Sequence, residues 1–199
     1  MIERRDLAAI ITAAGTSTRM GQQKALLPFN GVPLIDHQLA RLRGFRQVIV
    51  VTGHGADALT GHLGEASCVY NPRFREGRST SIEVGAKAVD AACRGVLVAG
   101  VDQPLIEEVL LSLLGAFDAE AAQAALPVCD GRRGHPLLFS HRVLASLARC
   151  GDYSAGLRDL LASLGDAVVE VPVSDPRIHA DLNTPDDLRA AELAWLTAG

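Results

Sequence analysis

Aromatic residues are scarce: they make up 4% of the 199 residues, against 48% for hydrophobic residues as a whole. A core must therefore rest on Leu, Val, Ile and Ala, and there are enough of these to exclude a disordered chain. The four cysteines (Cys68, Cys93, Cys129 and Cys150) include no Cys-x-x-Cys pair, which excludes a zinc knuckle and gives no disulfide framework. Reduced, buried thiols in a cytoplasmic setting are the expectation. No apolar run approaches membrane-spanning length, and the run at 7–11 is too short for the core of a secretion signal, so no membrane partner is expected. A surplus of positive charge is missing too, since the net charge is −4. Nothing global attracts nucleic acid, and any affinity for phosphate has to be local.

What remains is an alternation of short apolar runs and helical periodicities, long enough for one α/β domain over 1–199. Residues 7–13 (Leu-Ala-Ala-Ile-Ile-Thr-Ala) read as a strand buried on both faces, with further strands at 48–51, 67–70, 95–100, 124–128, 136–139 and 168–173. Helices are expected from Leu34 with Pro33 in the first turn, through 56–63, after a cap at Ser79 or Thr80, and at 105–117, 142–149 and 154–164. Thr184-Pro185-Asp186-Asp187 starts a last helix with a capping hydroxyl, a proline and two carboxylates at its positive end. This order predicts a doubly wound, Rossmann-like, mostly parallel sheet with helices on both faces and ligands at the carboxyl ends of its strands.

The first strand runs into Thr12-Ala13-Ala14-Gly15-Thr16-Ser17-Thr18-Arg19-Met20-Gly21-Gln22-Gln23-Lys24. Gly15 and Gly21 let backbone approach a triphosphate, Arg19 offers a planar fork and Lys24 a compact charge. It is not a Walker loop, because Gln22 and Gln23 separate the lysine from the second glycine and Ala25 follows it. Gly53-His54-Gly55-Ala56-Asp57-Ala58 mimics a dinucleotide fingerprint, but no strand-end acid lies the required distance beyond it. The six histidines form no zinc set, and no Gly-x-Ser-x-Gly elbow exists.

The pattern Ala-Ala-Gly-x-Ser-x-Arg-Met-Gly-x-x-Lys at 13–24 resembles the signature of the MobA-like NTP transferases, which build molybdenum cofactor dinucleotides and are related to nucleotide-sugar synthases. Val51-Thr52-Gly53, Asn71-Pro72 with Gly77 and Thr80-Ser81, Asp102-Gln103-Pro104, Gly134-His135-Pro136 and Asp181-Leu182-Asn183-Thr184-Pro185 fit the same family in order along the chain. Within it, Thr-Ala-Ala-Gly at 12–15 and the Gly-His-Pro triplet are similar to the cytidylyl branch, whereas the guanylyl branch tends to carry Leu-Ala-Gly-Gly.

The resemblance implies a nucleotide-diphospho-sugar transferase type of fold and a Mg²⁺-dependent transfer of CMP from CTP to a phosphorylated pterin, whose product could pass to a molybdenum hydroxylase. It implies nucleotide contacts at Thr12, Ala13, Ala14, Gly15, Thr16, Ser17, Arg19, Gly21, Lys24, Thr52, Gly53, Asn71, Ser79, Thr80 and Ser81, with Arg19, Lys24 and Asp102 at the chemistry. Asp102 follows a strand where an NTP-bound Mg²⁺ needs a carboxylate, and Asp181 is its candidate partner. An N-cap role for Asp102 and a turn role for Asp181 are the structural alternatives. The chain departs from the family where Val101, not glycine, precedes Asp102 and where Asn183 stands in a slot often held by a second aspartate. Arg132, Arg133 and His135 form a basic cluster suited to the acceptor phosphate, with a solvated loop as the alternative. Transfer to a sugar or polyol phosphate, use of another NTP, or a non-catalytic escort of the cofactor are the competing readings.

Overall fold

The structure, a computed structural model, describes residues 2–16, 20 and 22–197. Its centre is an eight-stranded sheet in the order β10-β7-β9-β6-β1-β4-β5, with β8 paired to β7 outside this path. The strands are β1 (Leu7–Ala13), β4 (Gln47–Thr52), β5 (Ser67–Tyr70), β6 (Gly95–Gly100), β7 (Ala124–Cys129), β8 (Arg132–Arg133), β9 (Leu137–Ser140) and β10 (Val168–Pro172). β1 runs parallel to β4 and β6, β4 to β5, and β7 to β10, while β9 is antiparallel to both β6 and β7. A two-stranded ribbon of β2 (Pro28–Phe29) and β3 (Val32–Pro33) stands apart.

Every residue of β1 is buried. Leu7, Ala9, Ile11 and Ala13 face one apolar layer, and Ala8 and Ile10 face the other. That is why the strand reads as an unbroken apolar run and not as an alternation. On the first side lie α1 (Leu34–Arg41), α3 (Glu107–Ala116) and α6 (Pro185–Thr197); on the second lie α2 (Arg78–Lys87), α4 (Leu144–Leu147) and α5 (Leu157–Leu164). Helix α2 comes very close to the sheet at Gly85, where a Cβ would stand 2.6 Å from Ile10 Cγ2.

The register sets the working edge. Thr12 pairs with both Val51 and Gly100, and Thr52 with Tyr70, so β1, β4, β5 and β6 end together. The segments that follow them emerge side by side. On the other half of the sheet, Asp130 (φ 52°) and Gly131 (φ 71°) make a two-residue hairpin between β7 and β8. This turn sends 132–135 toward the same edge, where Gly134 N donates to Pro127 O (2.8 Å) and His135 N to Ile178 O (3.0 Å). The His135–Pro136 peptide is cis.

Four helix expectations change. Residues 56–63 form a 3-10 helix, Ala56–His62, that enters from left-handed Gly55, contains Gly61 and buries only Leu59. A single apolar anchor gives an α-helix too little to pack. Helix α2 starts before the expected hydroxyl caps: Gly77 is its N-cap, and Thr80 Oγ1 lies 3.0 Å from Arg73 O and 2.9 Å from Gly77 O. Segment 142–149 divides into a 3-10 turn, His141–Val143, and the one-turn α4. Helix α5 begins at Leu157, not 154, because Gly156 turns at φ 57° where a Cβ would meet Ser79 Oγ at 2.1 Å. By contrast, α6 starts as expected, with Asp187 N donating to Thr184 Oγ1 (3.2 Å) and Thr184 N to Asp187 Oδ2 (2.8 Å).

Candidate functional site

Three segments meet at the carboxyl edge of the central strands. Lys24, beyond the loop that leaves β1, donates through Nζ to Asp102 Oδ2 at 2.8 Å and to Asn183 Oδ1 at 3.0 Å. Asp102 follows β6, and its carbonyl accepts from Leu182 N at 2.9 Å, which fastens the 181–183 segment beside it. The Lys24 and Asp102 side chains keep only 14% and 26% of their surface exposed, so the pair is poorly screened.

A cavity of about 250 Å³ opens here, lined by Thr12, Ala14, Gly15, Phe74, Gly77, Arg78, Ser81, Asp102 and Asp181. Asp181 is open to this cleft, yet partial withdrawal of its carboxyl from water, followed by the negative charge of Asp102, raises its pKa. Two carboxylates that feel each other in this way suit a divalent cation completed by phosphate oxygens and water. Among the described residues no group of three or more His, Cys, Asp or Glu side chains could enclose a metal unaided.

Arg78 enters from the first turn of α2 and donates through Nη2 to Gln103 Oε1 (2.8 Å). The same oxygen accepts from Gly100 N at 3.0 Å. The arginine is exposed because the cleft is open. Crowding around its guanidinium lowers its pKa, while Asp102 and Asp181 oppose that shift. Behind the turn, fully buried Gln38 of α1 donates to Gly100 O (2.8 Å) and Gln103 O (2.9 Å) and accepts from Leu105 N (2.9 Å). The backbone that presents Asp102 is thus splinted from below.

The expected nucleotide residues fall into groups. Thr12, Ala14, Gly15 and Ser81 line the cavity; Ala13 is the last residue of β1 and Thr16 is exposed beyond it. Ser17, Arg19 and Gly21 lie outside the described residues. Thr52 is fully buried, its hydroxyl 3.5 Å from Val69 O and Cys68 Sγ. Gly53 passes between two loops, where a Cβ would stand 2.7 Å from both Ala14 O and Phe74 Cβ. Asn71 is buried as well; its amide donates to Thr80 Oγ1 (2.9 Å) and Ser81 Oγ (3.0 Å), and its oxygen accepts from Arg73 N (2.9 Å). Asn71 and Thr80 therefore shape the loop from within, and Ser79 opens into a neighbouring cavity.

That second cavity also receives His135 and Arg133. Arg133 pairs with Glu170 at 2.7 Å, while Arg132 is exposed and its carbonyl accepts from His179 Nε2 (3.1 Å). Burial, and next the charge of Arg78, lower the His135 imidazole to a pKa of about 4, so it is neutral at pH 7.

Sequence reasoning singled out neither Arg78, Gln103, Gln38 nor Phe74 as a site residue. Gln103 lies inside the Asp102-Gln103-Pro104 motif and Arg78 beside Gly77, so position was the available signal. Gln38 gave only a polar residue on an apolar helix face.

Comparison with known proteins matches the MobA-like NTP transferase domain to residues 9–168. The chain is 28% identical to the molybdenum cofactor cytidylyltransferase of Escherichia coli K12, over 92% of this chain and 94% of that one. It is 31% identical to the molybdenum cofactor guanylyltransferase of Rhodobacter capsulatus, over 94% and 95%. Among solved structures, the Rv0371c protein of Mycobacterium tuberculosis H37Rv superposes with a TM-score of 0.82 at 26% identity, covering 96% of this chain and all of its own (100%). The mostly parallel sheet flanked by helices is the nucleotide-diphospho-sugar transferase type, as expected. With four-fifths of its length inside the family's pattern, the chain belongs to the MobA-like NTP transferases and is a nucleotidyltransferase.

Proposed function

We propose that this chain transfers CMP from CTP to the phosphate of molybdopterin and releases pyrophosphate. The observation that carries the assignment is the meeting of Lys24 and Asp102 at 2.8 Å beside a cavity walled by Gly15, Arg78 and Asp181. In this reading a phosphate oxygen of the acceptor attacks the α-phosphorus of the nucleotide. A new P–O bond forms while the bond from the α-phosphorus to the bridging oxygen breaks, and the electron pair leaves with pyrophosphate. The nucleophile is ionised at neutral pH, so positioning and charge stabilisation suffice and no base is required. Gly15 admits the phosphates close to backbone, Arg19 and Lys24 counter the charge on the leaving group, and Arg78 faces the acceptor side. A Mg²⁺ held by Asp102 with Asp181 would supply further positive charge at the phosphates.

The likeness of Thr12-Ala13-Ala14-Gly15 to the cytidylyl branch supports CTP, and Thr12, Ala14 and Gly15 line the cavity. The Rhodobacter capsulatus relative, a guanylyltransferase of similar identity, makes GTP the second reading. Arg132, Arg133 and His135 are assigned to the acceptor side, and a molybdenum hydroxylase is the proposed recipient of the product.

Pyrophosphate release with molybdenum cofactor, measured with each of the four NTPs and with Mg²⁺ present or chelated, tests the whole proposal. CTP-dependent, metal-dependent release is expected. Release with GTP alone would transfer the chain to the guanylyl reading, and none with any NTP would leave transfer to a sugar or polyol phosphate, or an escort role.

A further inference from the structure

Two negatively charged phosphates have to meet in the proposed reaction, and their repulsion grows as the new P–O bond forms. The cleft therefore needs a cation at the meeting point, apart from those that serve the leaving group. Lys24 is already engaged, its Nζ shared between Asp102 Oδ2 (2.8 Å) and Asn183 Oδ1 (3.0 Å). Among the described residues that line the cavity at Asp102, Arg78 is the only cation. It also lines the neighbouring cavity that holds His135, so it stands on the boundary between the nucleotide side and the side assigned to the acceptor.

Arg78 is fixed at both ends. Its backbone leaves Gly77, whose φ of 118° favours glycine, and it opens α2 as the first helical residue. Its Nη2 donates to Gln103 Oε1 (2.8 Å), and the same oxygen accepts from Gly100 N (3.0 Å). Gln103 is buried, and its own carbonyl accepts from Gln38 Nε2 (2.9 Å). An amide oxygen anchored to the end of β6 thus sets where the guanidinium stands. That the anchor is an amide matters. Gln103 is neutral, so the bond orients Arg78 without cancelling its charge. Arg78 forms no ion pair among the described residues, and Asp102 and Asp181 act on it only through space.

We propose that Arg78 is a catalytic residue whose guanidinium bridges the acceptor phosphate and the non-bridging oxygens of the α-phosphoryl group during transfer, and that Gln103 is its positioning residue. The inference rests on the transferase reading and sets a division of labour within it. Arg19 and Lys24 serve the departing pyrophosphate, while Arg78 serves the P–O bond being made. The planar fork of an arginine spans two phosphates, which the point charge of a lysine does not. The two anions come closest in the transition state, so the contribution falls on kcat more than on nucleotide binding.

The test uses the full-length protein. Pyrophosphate release is measured with molybdenum cofactor and CTP, or GTP should CTP give none, and binding of the same nucleotide is titrated calorimetrically without acceptor. R78A should lower kcat by about 10²- to 10³-fold, the scale for one preorganised charge-stabilising group, and weaken nucleotide binding much less. R78K should keep only part of the wild-type rate, and guanidinium ion below denaturing concentrations should restore part of the R78A rate. Q103E preserves the shape and the bond from Gly100 N but sets a carboxylate against Arg78, so kcat should fall while the thermal midpoint stays near that of wild type. Because Gln103 acts through Arg78, Q103E should cost more in wild type than in R78A. Wild-type kcat in R78A, a loss of nucleotide binding as large as the loss of kcat, or no rescue by guanidinium ion overturns the catalytic role. An equal cost of Q103E in both backgrounds overturns the positioning role. No release by wild type with any NTP removes the proposed reaction and the role of Arg78 together, whereas an active wild type with an equally active R78A sinks Arg78 alone.

Discussion

Lys24 Nζ stands 2.8 Å from Asp102 Oδ2, an ion pair between residues 78 positions apart that joins the segment leaving β1 to the turn leaving β6. Because β1 and β6 are neighbours in register, with Thr12 opposite Gly100, the pair closes the cleft at the point where both strands end. Asp102 also acts on Asp181, whose pKa it helps to raise. One carboxylate therefore holds a cation on one side and repels an anion on the other.

Asp102→Ala follows directly from that arrangement. Losing the carboxylate should lower kcat by about 10²- to 10³-fold, the scale for one preorganised charge-stabilising group. The lost attraction to Lys24 is offset by relief of the repulsion with Asp181, so the thermal midpoint should stay near that of wild type. Pyrophosphate release and a melting curve on the same preparation check both halves. Wild-type turnover in the variant would remove Asp102 from the chemistry.

Gln38→Leu should act from underneath. The buried amide makes three bonds to the backbone of the Asp102 turn, and leucine makes none of them. Each buried backbone group left unpaired costs about 1–3 kcal/mol. Urea unfolding should therefore show a loss of at least that size, with kcat falling because the turn is no longer held. Unchanged stability would mean that the turn satisfies itself in another way.

These residues also mark the limit of what the sequence conveys. Strand β1 is legible because both of its faces are buried, and α6 because Thr184 and Asp187 cap it locally. Both signals are contained in a few adjacent residues. Gln38, Gln103 and Arg78 are different: each takes its role from partners that only the sheet register brings near. Asn71 is the converse case. It stands in a family motif, which points to ligand, yet its side chain is spent on Thr80, Ser81 and the Arg73 amide. The motif marks a loop whose shape matters, and spacing alone cannot separate that from direct contact. The 3-10 segment at Ala56–His62 escaped for a third reason, since its single anchor Leu59 satisfies helical spacing without filling a helical face.

Gly53→Ala should disturb the phosphate side without unfolding the chain. A methyl group there would press on Ala14 O and Phe74 at 2.7 Å, and both residues line the cavity beside Asp102. Overpacking of this kind costs about 1–3 kcal/mol, and here the moving part is the start of the loop. A rise in the KM for the nucleotide, with the KM for the acceptor little changed, is the expected split in steady-state kinetics. Equal effects on both would place the strain elsewhere.

His135 gives the fold a pH dependence. Its imidazole has a pKa of about 4 in the folded chain, against 6.5 when unperturbed, because burial and then Arg78 disfavour the charged form. Between those values the unfolded chain binds more protons than the folded one, so acid favours unfolding. The neutral histidine's contribution is whole above pH 6.5 and is lost as pH falls toward 4. At about 1.4 kcal/mol per pKa unit, the loss is on the order of 3 kcal/mol. Urea unfolding at pH 7, 5.5 and 4.5 should therefore show a steeper decline for wild type than for His135→Asn, which cannot take up that proton. Parallel declines would mean that the imidazole keeps an ordinary pKa in the folded protein, and that the wall it forms beside Arg78 is wetter than its burial implies.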